Sequence, residues 1–249
     1  MSEFKVAILA LGGTIAMTKG EDGGVVPTLS GERLAAAVPG LGELARIDAR
    51  TFRQLPSAHL KYHDLEALAQ EIIRLEQAGY RGVVVTQGTD TIEETAFVLD
   101  RLTHTEMPVV VTGAMRNPTV PGADGPANLL ASVQVAVGPE ARGCGCLVVM
   151  NDELHAARFV RKTHTSRVDA FSSPASGRLG WVSEGRVFVG SRLDPLPAIP
   201  SSMVVQERRV ALITVALGDD GTLIRALPPG QFHGLVVEAT GGGHVPVEV

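Results

Sequence analysis

Short, uninterrupted apolar runs alternate with stretches of helical periodicity over the first three fifths of the chain, and this alternation strongly constrains the fold. The runs are rich in Val, Ile and Leu and are bounded by turn residues. They are Val6 to Leu11, Gly82 to Val85, Pro108 to Val111 and Leu147 to Met150. Such runs are typical of strands that are buried on both faces, as in a parallel sheet.

The segments between these runs have apolar residues at helical spacing. The first contains Leu65, Leu68, Ile72 and Leu75, with Gly79 where a C-cap belongs; the second contains Ile92, Ala96, Leu99 and Leu102; the third covers Asn128 to Val137. Repeated strand–helix–strand units imply right-handed crossovers. The sequence therefore predicts an α/β fold with a doubly wound, mostly parallel sheet.

The pattern changes after about Ser166, and we predict two domains. The first is an N-terminal α/β domain over residues 1–190, in which Leu179 to Val189 form a hairpin that turns at Glu184-Gly185. A Pro-rich linker is predicted over 191–207. Residues 208–249, with strands at Val210 to Leu217 and Leu235 to Glu238, form a small, partial C-terminal α/β domain. This domain is too small to bury a good core alone, so we expect it to pack on the first domain, pair with another subunit or be incomplete.

Charge and composition exclude several classes of protein. Lys and Arg total 22 and Asp and Glu total 27, which gives a net charge of −5. A nucleic acid or an anionic membrane needs a basic face, so neither is an expected partner. No run approaches the roughly 18 apolar residues of a membrane span. Because Met1 to Leu11 is interpreted as a first strand and not as a signal peptide, we expect a cytoplasmic protein.

Other site classes lack their motifs. The chain has no G-x-G-x-x-G, no G-x-x-x-x-G-K-[ST] and no G-x-S-x-G, which argues against dinucleotide, P-loop and nucleophile-elbow sites. Cys144 and Cys146 are too close for an unstrained disulfide and are interpreted as inert thiols. His59 and His63 are the only helix-spaced histidine pair, and without a Glu or Cys partner pattern they predict no metal site.

Polar and glycine-rich segments directly follow the four predicted strands. They are Gly12-Gly13-Thr14, Thr86 to Asp90, Thr112 to Arg116, and Asn151-Asp152. The carboxyl ends of parallel strands lie along one edge of a sheet, where open α/β sheets bind ligands. Hydroxyls, a carboxylate beside a threonine and accessible backbone amides would meet there. This combination suits a small polar substrate.

Each of these residues also has a plainer interpretation. Thr14 could belong to an ordinary tight turn, and Thr89 with Asp90 could cap the helix that begins near Thr91. Lys162 could be a solvated surface cation. Taken one at a time, these structural roles are the commoner ones.

Taken together, the motifs resemble the bacterial-type L-asparaginases. Leu11 to Ala16 and Thr86 to Ala96 are similar to that family's two threonine motifs. Four further segments agree in order and spacing: Gly113 to Arg116, Ala123 to Asn128, Val148 to Asp152, and Lys162-Thr163. The resemblance runs from about Val6 to Gly243, nearly the whole chain.

The resemblance implies catalytic roles for four residues. Thr14 would attack the side-chain amide and form an acyl-enzyme that water then hydrolyses. Thr89, Asp90 and Lys162 match the family's second, triad-like set. Asp90 would orient the lysine or hold the ammonium group of the substrate. A threonine hydroxyl is a weak nucleophile at neutral pH, so it needs such a relay.

The resemblance also implies substrate contacts and no cofactor or metal. Ser57 would bind the α-carboxylate, and the carbonyl of Ala114 would receive the leaving amide nitrogen. Backbone N–H groups around Thr14 and Thr89, with Gly88 in the predicted binding set, would stabilise the oxyanion. Ala58, beside Ser57, is the fourth residue of the predicted substrate-binding set. A homodimer or homotetramer is expected from the resemblance alone.

Three departures from the family pattern stand out. The loop that follows Thr14 lacks the family's tyrosine: Gly24 takes the matching position, and Thr28 is either a substitute hydroxyl or an ordinary loop residue. Ala58 stands where the family often has glutamine. The chain is also shorter than the family norm. From its glycines we predict that Met17 to Ser30 forms a mobile lid that closes over the substrate.

The predicted function is hydrolysis of L-asparagine to L-aspartate and ammonia. A glutaminase-asparaginase of broader specificity is the nearest alternative, because one methylene group discriminates by only about 1–3 kcal/mol. A subunit that supplies ammonia to a tRNA-dependent amidotransferase fits less well, since the chain is acidic and starts directly on the predicted catalytic strand. A non-catalytic amino-acid sensor is the alternative from another class, favoured by Ala58 and the missing tyrosine.

Overall fold

The structure is a computed structural model that describes residues 4–19, 25–27, 30–197, 199 and 208–249. Its strands are β1 (Lys5–Ala10), β2 (Met17–Lys19), β3 (Val25–Pro27), β4 (Arg46–Thr51), β5 (Gly82–Thr86), β6 (Val109–Thr112), β7 (Cys146–Met150), β8 (Glu153–Ala156), β9 (Arg161–Lys162), β10 (Phe171–Ser172), β11 (Gly180–Ser183), β12 (Arg186–Val189), β13 (Val210–Thr214) and β14 (Gly234–Glu238). Its helices are α1 (Gly31–Ala36), α2 (Leu41–Leu44), α3 (Tyr62–Gln77), α4 (Ile92–Thr103), α5 (Gly125–Val137) and α6 (Thr222–Arg225). The chain divides into two units, Met1–Ile199 and Pro200–Val249.

An eight-stranded sheet forms the centre of the first unit, in the order β12-β11-β8-β7-β6-β5-β1-β4. The five strands from β7 to β4 are parallel. All four apolar runs of the sequence form strands in this parallel part, as predicted. Strand β4 was not predicted, because its residues Arg46–Thr51 are mostly polar and only partly buried at the edge of the sheet.

The remaining three strands of this sheet are antiparallel. Strand β8 returns along β7 through a turn at Asn151 and Asp152, whose φ values of 51° and 61° are left-handed. These two residues therefore form a hairpin turn. Strands β11 and β12 form the predicted hairpin, with Glu184 and Gly185 in its turn at φ values of 49° and 75°.

Helices cover both faces of the sheet, so its core has two layers. Val6 and Ile8 of β1 point to the face covered by α1, α2 and α5. Ala7 and Leu9 point to the opposite face, covered by α3 and α4. All four are fully buried. Burial of a large aliphatic side chain stabilises the fold by about 1.5–3 kcal/mol. This doubly wound α/β arrangement is the predicted fold class.

The second unit is described from residue 208 onwards. Its strands β13 and β14 pair in parallel as a two-stranded sheet, at the two places where strands were predicted. Between them lies the one-turn helix α6. Among the described residues of the whole chain, no helix is both long enough and apolar enough to cross a membrane.

Candidate active site

Three 3₁₀ turns follow neighbouring parallel strands of the sheet, and each begins at a predicted site residue. The turn Thr14–Ala16 follows β1, Ser57–His59 follows β4, and Thr89–Thr91 follows β5. Strand β1 lies between β4 and β5 and is parallel to both. The three turns therefore share one edge of the sheet, which we call the carboxyl edge: the edge at the C-terminal ends of β1, β4, β5, β6 and β7.

Glycines bring the loops at this edge into backbone contact. Gly13 has φ of 87°, and a Cβ atom there would lie 2.1 Å from the backbone nitrogen of Gly88. A Cβ atom on Gly88 would in turn lie 2.8 Å from Oγ of Ser57. Glycine alone permits both approaches. The loops of Thr14, Thr89 and Ser57 are thus packed against each other at the carboxyl edge.

Lys162 contacts both Thr89 and Asp90. Its Nζ lies 2.8 Å from Oγ1 of Thr89 and 2.8 Å from Oδ1 of Asp90. The lysine side chain is only 15% exposed, whereas that of Asp90 is 72% exposed. Thr89 is buried. The structure therefore gives Lys162 a specific pair of partners, and the interpretation as a solvated cation is wrong.

Thr89 and Asp90 do not cap the following helix. Helix α4 begins at Ile92, its N-cap residue is Thr91, and no side chain caps it. The side chains of Thr89 and Asp90 instead meet the lysine amine. A buried hydroxyl bonded to an amine, with a carboxylate beside it, is an arrangement that can pass a proton.

Hydrogen bonds hold the Ser57 loop on two sides. Arg53 bonds Asp64 at 2.8 Å, and Asp64 accepts the backbone N–H of Lys61 at 3.1 Å. The Arg53 guanidinium lowers the pKa of Asp64 below its ordinary value. On the other side, Oγ1 of Thr91 donates to the carbonyl of Ser57 at 3.1 Å. Ser57 is buried in this setting.

Ala58 and Ala114 occupy contrasting positions. Ala58 follows Ser57 in its 3₁₀ turn and is exposed. Ala114 follows β6 and is buried. A Cβ atom on Gly125 would lie 2.9 Å from Cγ1 of Ile15 and 3.3 Å from Cβ of Ala114. Gly125 therefore lets the loop of Ala114 approach the turn that begins at Thr14.

Two polar residues at the start of α5 position the loops after β6 and β7, and neither was predicted as a site residue. Asp124 accepts the backbone N–H groups of Met115 and Arg116, each at 2.9 Å. Asn128 donates to the carbonyl of Gly113 at 3.1 Å and accepts the N–H of Asn151 at 2.9 Å. The only sequence signal was their place in the Ala123 to Asn128 motif, because these contacts join distant segments.

The predicted lid lies only partly within the described residues. Strands β2 and β3 form an antiparallel pair at its two ends. Gly24, which replaces the expected tyrosine, and Thr28, the candidate substitute hydroxyl, lie outside the described residues. The lid remains a prediction.

The described residues include no group of three or more His, Cys, Asp or Glu side chains that could hold a metal ion. Cys144 and Cys146 are unpaired, and burial raises the pKa of both thiols. A raised pKa leaves little thiolate at neutral pH, which agrees with their interpretation as inert. The groups that the structure brings together around Thr89 are hydroxyls, the amine of Lys162, the carboxylate of Asp90 and the backbone of the Gly13 and Gly88 loops.

Comparisons with known proteins give a consistent result. A family model described as asparaginase, N-terminal, matches residues 5–194. The L-asparaginase of Bacillus licheniformis is 38% identical over 253 residues, which cover 97% of this chain and 75% of the relative. A glutaminase-asparaginase of Pseudomonas fluorescens biotype A is 34% identical over 257 residues, which cover 98% of this chain and 70% of the relative.

A solved structure is similar over nearly the whole chain. It is the crystal structure of a probable cytoplasmic L-asparaginase from Campylobacter jejuni, which superposes with a TM-score of 0.90 at 35% sequence identity. The match covers 99% of this chain and 77% of that protein.

Proposed function

Because the chain belongs to the asparaginase family, we propose that it hydrolyses the side-chain amide of L-asparagine and releases L-aspartate and ammonia. The observation that carries this proposal is the contact of Lys162 with Thr89 and Asp90 at the edge that also holds Thr14. An amide hydrolase needs a nucleophile and a group that moves protons. This edge offers both.

In the first half of the reaction, Oγ1 of Thr14 attacks the amide carbon of the substrate. A C–O bond forms, the C–N bond breaks, and the hydroxyl proton ends on the departing nitrogen, which leaves as ammonia. The product is an ester between Thr14 and the aspartyl group. Backbone N–H groups of the Gly13 and Gly88 loops would stabilise the oxyanion in this proposal, a contribution of about 3 kcal/mol per donor in other enzymes.

In the second half, water hydrolyses the ester. Thr89 and Lys162 form a hydroxyl–amine pair that can take a proton from the attacking water, and Asp90 holds the amine in place. The water oxygen bonds to the ester carbonyl carbon, the C–O bond to Thr14 breaks, and the proton taken from water passes to Oγ1 of Thr14. Aspartate leaves, and the enzyme is restored.

The remaining site residues bind the substrate in this proposal. Ser57 contacts the α-carboxylate, and the exposed carboxylate of Asp90 attracts the α-ammonium group. The carbonyl of Ala114 accepts a hydrogen bond from the amide nitrogen. Ala58 is exposed and its methyl side chain cannot form a hydrogen bond, so it adds no polar contact with the substrate.

Glutamine is the second candidate substrate. Similarity to a glutaminase-asparaginase at 34% identity favours it as an additional substrate. A substrate longer by one methylene group changes binding by only about 1–3 kcal/mol, so both amides can react at one site. The intact set of Thr14, Thr89, Asp90 and Lys162 argues against a sensor, which has no need for two hydroxyls and a lysine.

We also propose a cytoplasmic location and a homodimer or homotetramer. The name of the Campylobacter jejuni neighbour, a probable cytoplasmic L-asparaginase, supports the location. The oligomeric state rests on the family resemblance. Light scattering tests it, and a molecular mass that stays at the monomer value over a wide concentration range would contradict it.

Ammonia release from L-asparagine and from L-glutamine tests the reaction. We expect wild type to release ammonia, Thr14→Ala to lose it because the nucleophile is gone, and Thr89→Val to lose at least about 10²-fold in rate, as on loss of a group that moves a proton. Thr119→Val, at an exposed loop threonine, is the matched control and keeps its rate. If wild type binds aspartate but releases no ammonia from either amide, the sensor is the better interpretation.

A further inference from the structure

Lys162 lies on a two-residue strand. Strand β9 consists of Arg161 and Lys162 and pairs with the two residues of β10, and Thr163 extends this pairing through its N–H and Oγ1, which both bond the carbonyl of Ala170. The segment from Thr163 to Arg167 between them is exposed. Yet the Nζ atom must stay within hydrogen-bond distance of Thr89 for a proton to pass. The bonds to β10 and Ala170 do not join β9 to the turn of Thr89, so a contact between these two segments is needed to fix that distance.

Glu93 supplies that contact. Its Oε1 accepts the backbone N–H of Lys162, and its Oε2 accepts a hydrogen bond from the Arg161 guanidinium at 3.0 Å. The Glu93 side chain is 22% exposed, and both of its oxygens bind to β9. One carboxylate therefore holds both residues of the strand.

Glu93 is also rigidly connected to the other partners of Lys162. It is the second residue of α4, and the 3₁₀ turn with Thr89 and Asp90 directly precedes that helix. Lys162 is thus held at its backbone by Glu93 and at its amine by Thr89 and Asp90. All three contacts come from five consecutive residues of the chain. This arrangement fixes the lysine relative to the hydroxyl that it serves.

We infer that Glu93 is a positioning residue for the reaction: it holds the backbone of Lys162 so that the amine meets Thr89. The inference rests on the proposed function and adds to it a residue that does not touch the substrate. The positive charge of Arg161 balances the carboxylate locally, so the contact adds no net charge beside the amine. The backbone hydrogen bond, and not the exposed ion pair with Arg161, is the part that matters for catalysis.

The first test compares rates in matched variants. We expect Glu93→Ala to lower kcat about 10²-fold, the effect of misplacing a catalytic group by about 1 Å. KM should change by less than about threefold, because the substrate contacts are untouched. Glu93→Gln keeps an acceptor oxygen and should recover most of the rate. Arg161→Gln, which removes the ion pair and a long 3.4 Å bond to the carbonyl of Val160, should stay near wild type. So should Glu94→Ala, at the exposed neighbouring glutamate.

A double variant separates positioning from general damage to the fold. In a Lys162→Ala background, Glu93→Ala should cause little further loss of rate, because the group that it positions is already absent. The same loss in both backgrounds would overturn the inference. So would a Glu93→Gln rate as low as that of Glu93→Ala when both variants melt at the wild-type temperature.

A second readout does not depend on turnover. Acetylation of lysines by an N-hydroxysuccinimide ester, followed by mass spectrometry, measures how accessible each amine is. Lys162 should react faster in Glu93→Ala than in wild type, while the exposed Lys61 reacts equally in both. Equal reactivity of Lys162 in the two proteins would overturn the inference. Absence of ammonia release from wild type would instead contradict the proposed function and leave this labelling test valid.

Discussion

Two strands of this protein have nearly the same sequence and opposite surroundings. Strand β5 reads Gly-Val-Val-Val-Thr, and strand β14 reads Gly-Leu-Val-Val-Glu. Every residue of β5 is buried. In β14, by contrast, Leu235 is 41% exposed and Val236 is 52% exposed. Both strands formed where an apolar run predicted them, but only one of them lies in a core.

The neighbours of the two strands explain the difference. Strand β5 lies between β1 and β6, and helices cover both faces of that sheet. Strand β14 pairs with β13 in a sheet that has two strands in the described part of the chain. Parallel sheets are ordinarily covered on both faces, and a two-stranded sheet is marginal alone. An apolar run therefore predicts a strand, while its surroundings decide whether the strand is buried.

A charge placed in each strand should separate the two regions most strongly. Val84→Asp buries an unpaired carboxylate in the first unit and should lower its free energy of unfolding by at least about 4 kcal/mol. Val236→Asp places the same group on an exposed surface and should change the free energy of unfolding of the second unit by less than about 0.5 kcal/mol. Urea unfolding followed by fluorescence of Trp181, the single tryptophan, reports on the first unit, and hydrogen exchange of the β13 and β14 amides reports on the second. Equal losses in the two variants would contradict the comparison.

Glycine substitutions in the two units should differ in the same direction, with a smaller loss of unfolding free energy. Gly13→Ala forces a left-handed residue against the backbone of Gly88, and we expect a loss of about 3 kcal/mol in unfolding free energy together with loss of ammonia release. Gly241→Ala, in the second unit, meets no atom within 4 Å and should be nearly neutral. Activity and urea unfolding measure both. A Gly13→Ala protein with wild-type activity would show that the close approach of the two loops is dispensable.

The smallest expected effect is a pH dependence from His155 in the first unit. This residue is 1% exposed, and its Nδ1 lies 3.0 Å from Oγ of Ser173. Its Nε2 makes no hydrogen bond among the described residues, and the carboxylate of Glu153 lies 3.5 Å from it. Burial lowers the pKa of His155 below its ordinary value of 6.5. The unfolded chain therefore binds a proton before the folded one does, and stability should fall as the pH drops below about 6.5.

His155→Gln should flatten this decline below about pH 6.5, because the variant cannot take up the proton in either state. The exposed His244 of the second unit provides the control, and His244→Gln should keep the wild-type slope of the Trp181 transition. Urea unfolding at several pH values measures both slopes. An unchanged slope in His155→Gln would show that other groups cause the decline.

Sequence predicted the parallel strands well because each is a continuous apolar run that is buried on both faces. It missed β4, whose polar residues are only partly buried at the edge of the sheet. It placed Asn151 and Asp152 at the ligand edge, where they do follow β7, but it did not show that they form the hairpin turn into β8. Edge strands and turns depend less on burial, so the apolar pattern carries less information about them.

The candidate site was predictable in part for a similar reason. Thr14 and Thr89 follow predicted strands in recognisable glycine-containing motifs, so the strand pattern alone places both at one edge. The contact between Lys162 and Thr89 joins residues 73 apart, and the contact between Glu93 and Lys162 joins residues 69 apart. No local pattern predicts such pairs, because they depend on how separate elements pack.

By itself, the sequence determined the strand and helix pattern, the shared edge of the glycine–threonine motifs and the family resemblance. Each of these follows from residues that are close in the chain, where periodicity and turn preference act. Only the tertiary structure decided that β5 is covered and β14 is not, and that Glu93 meets the backbone of Lys162. Burial and long-range hydrogen bonds depend on which surfaces meet, and surfaces meet only after the elements have packed.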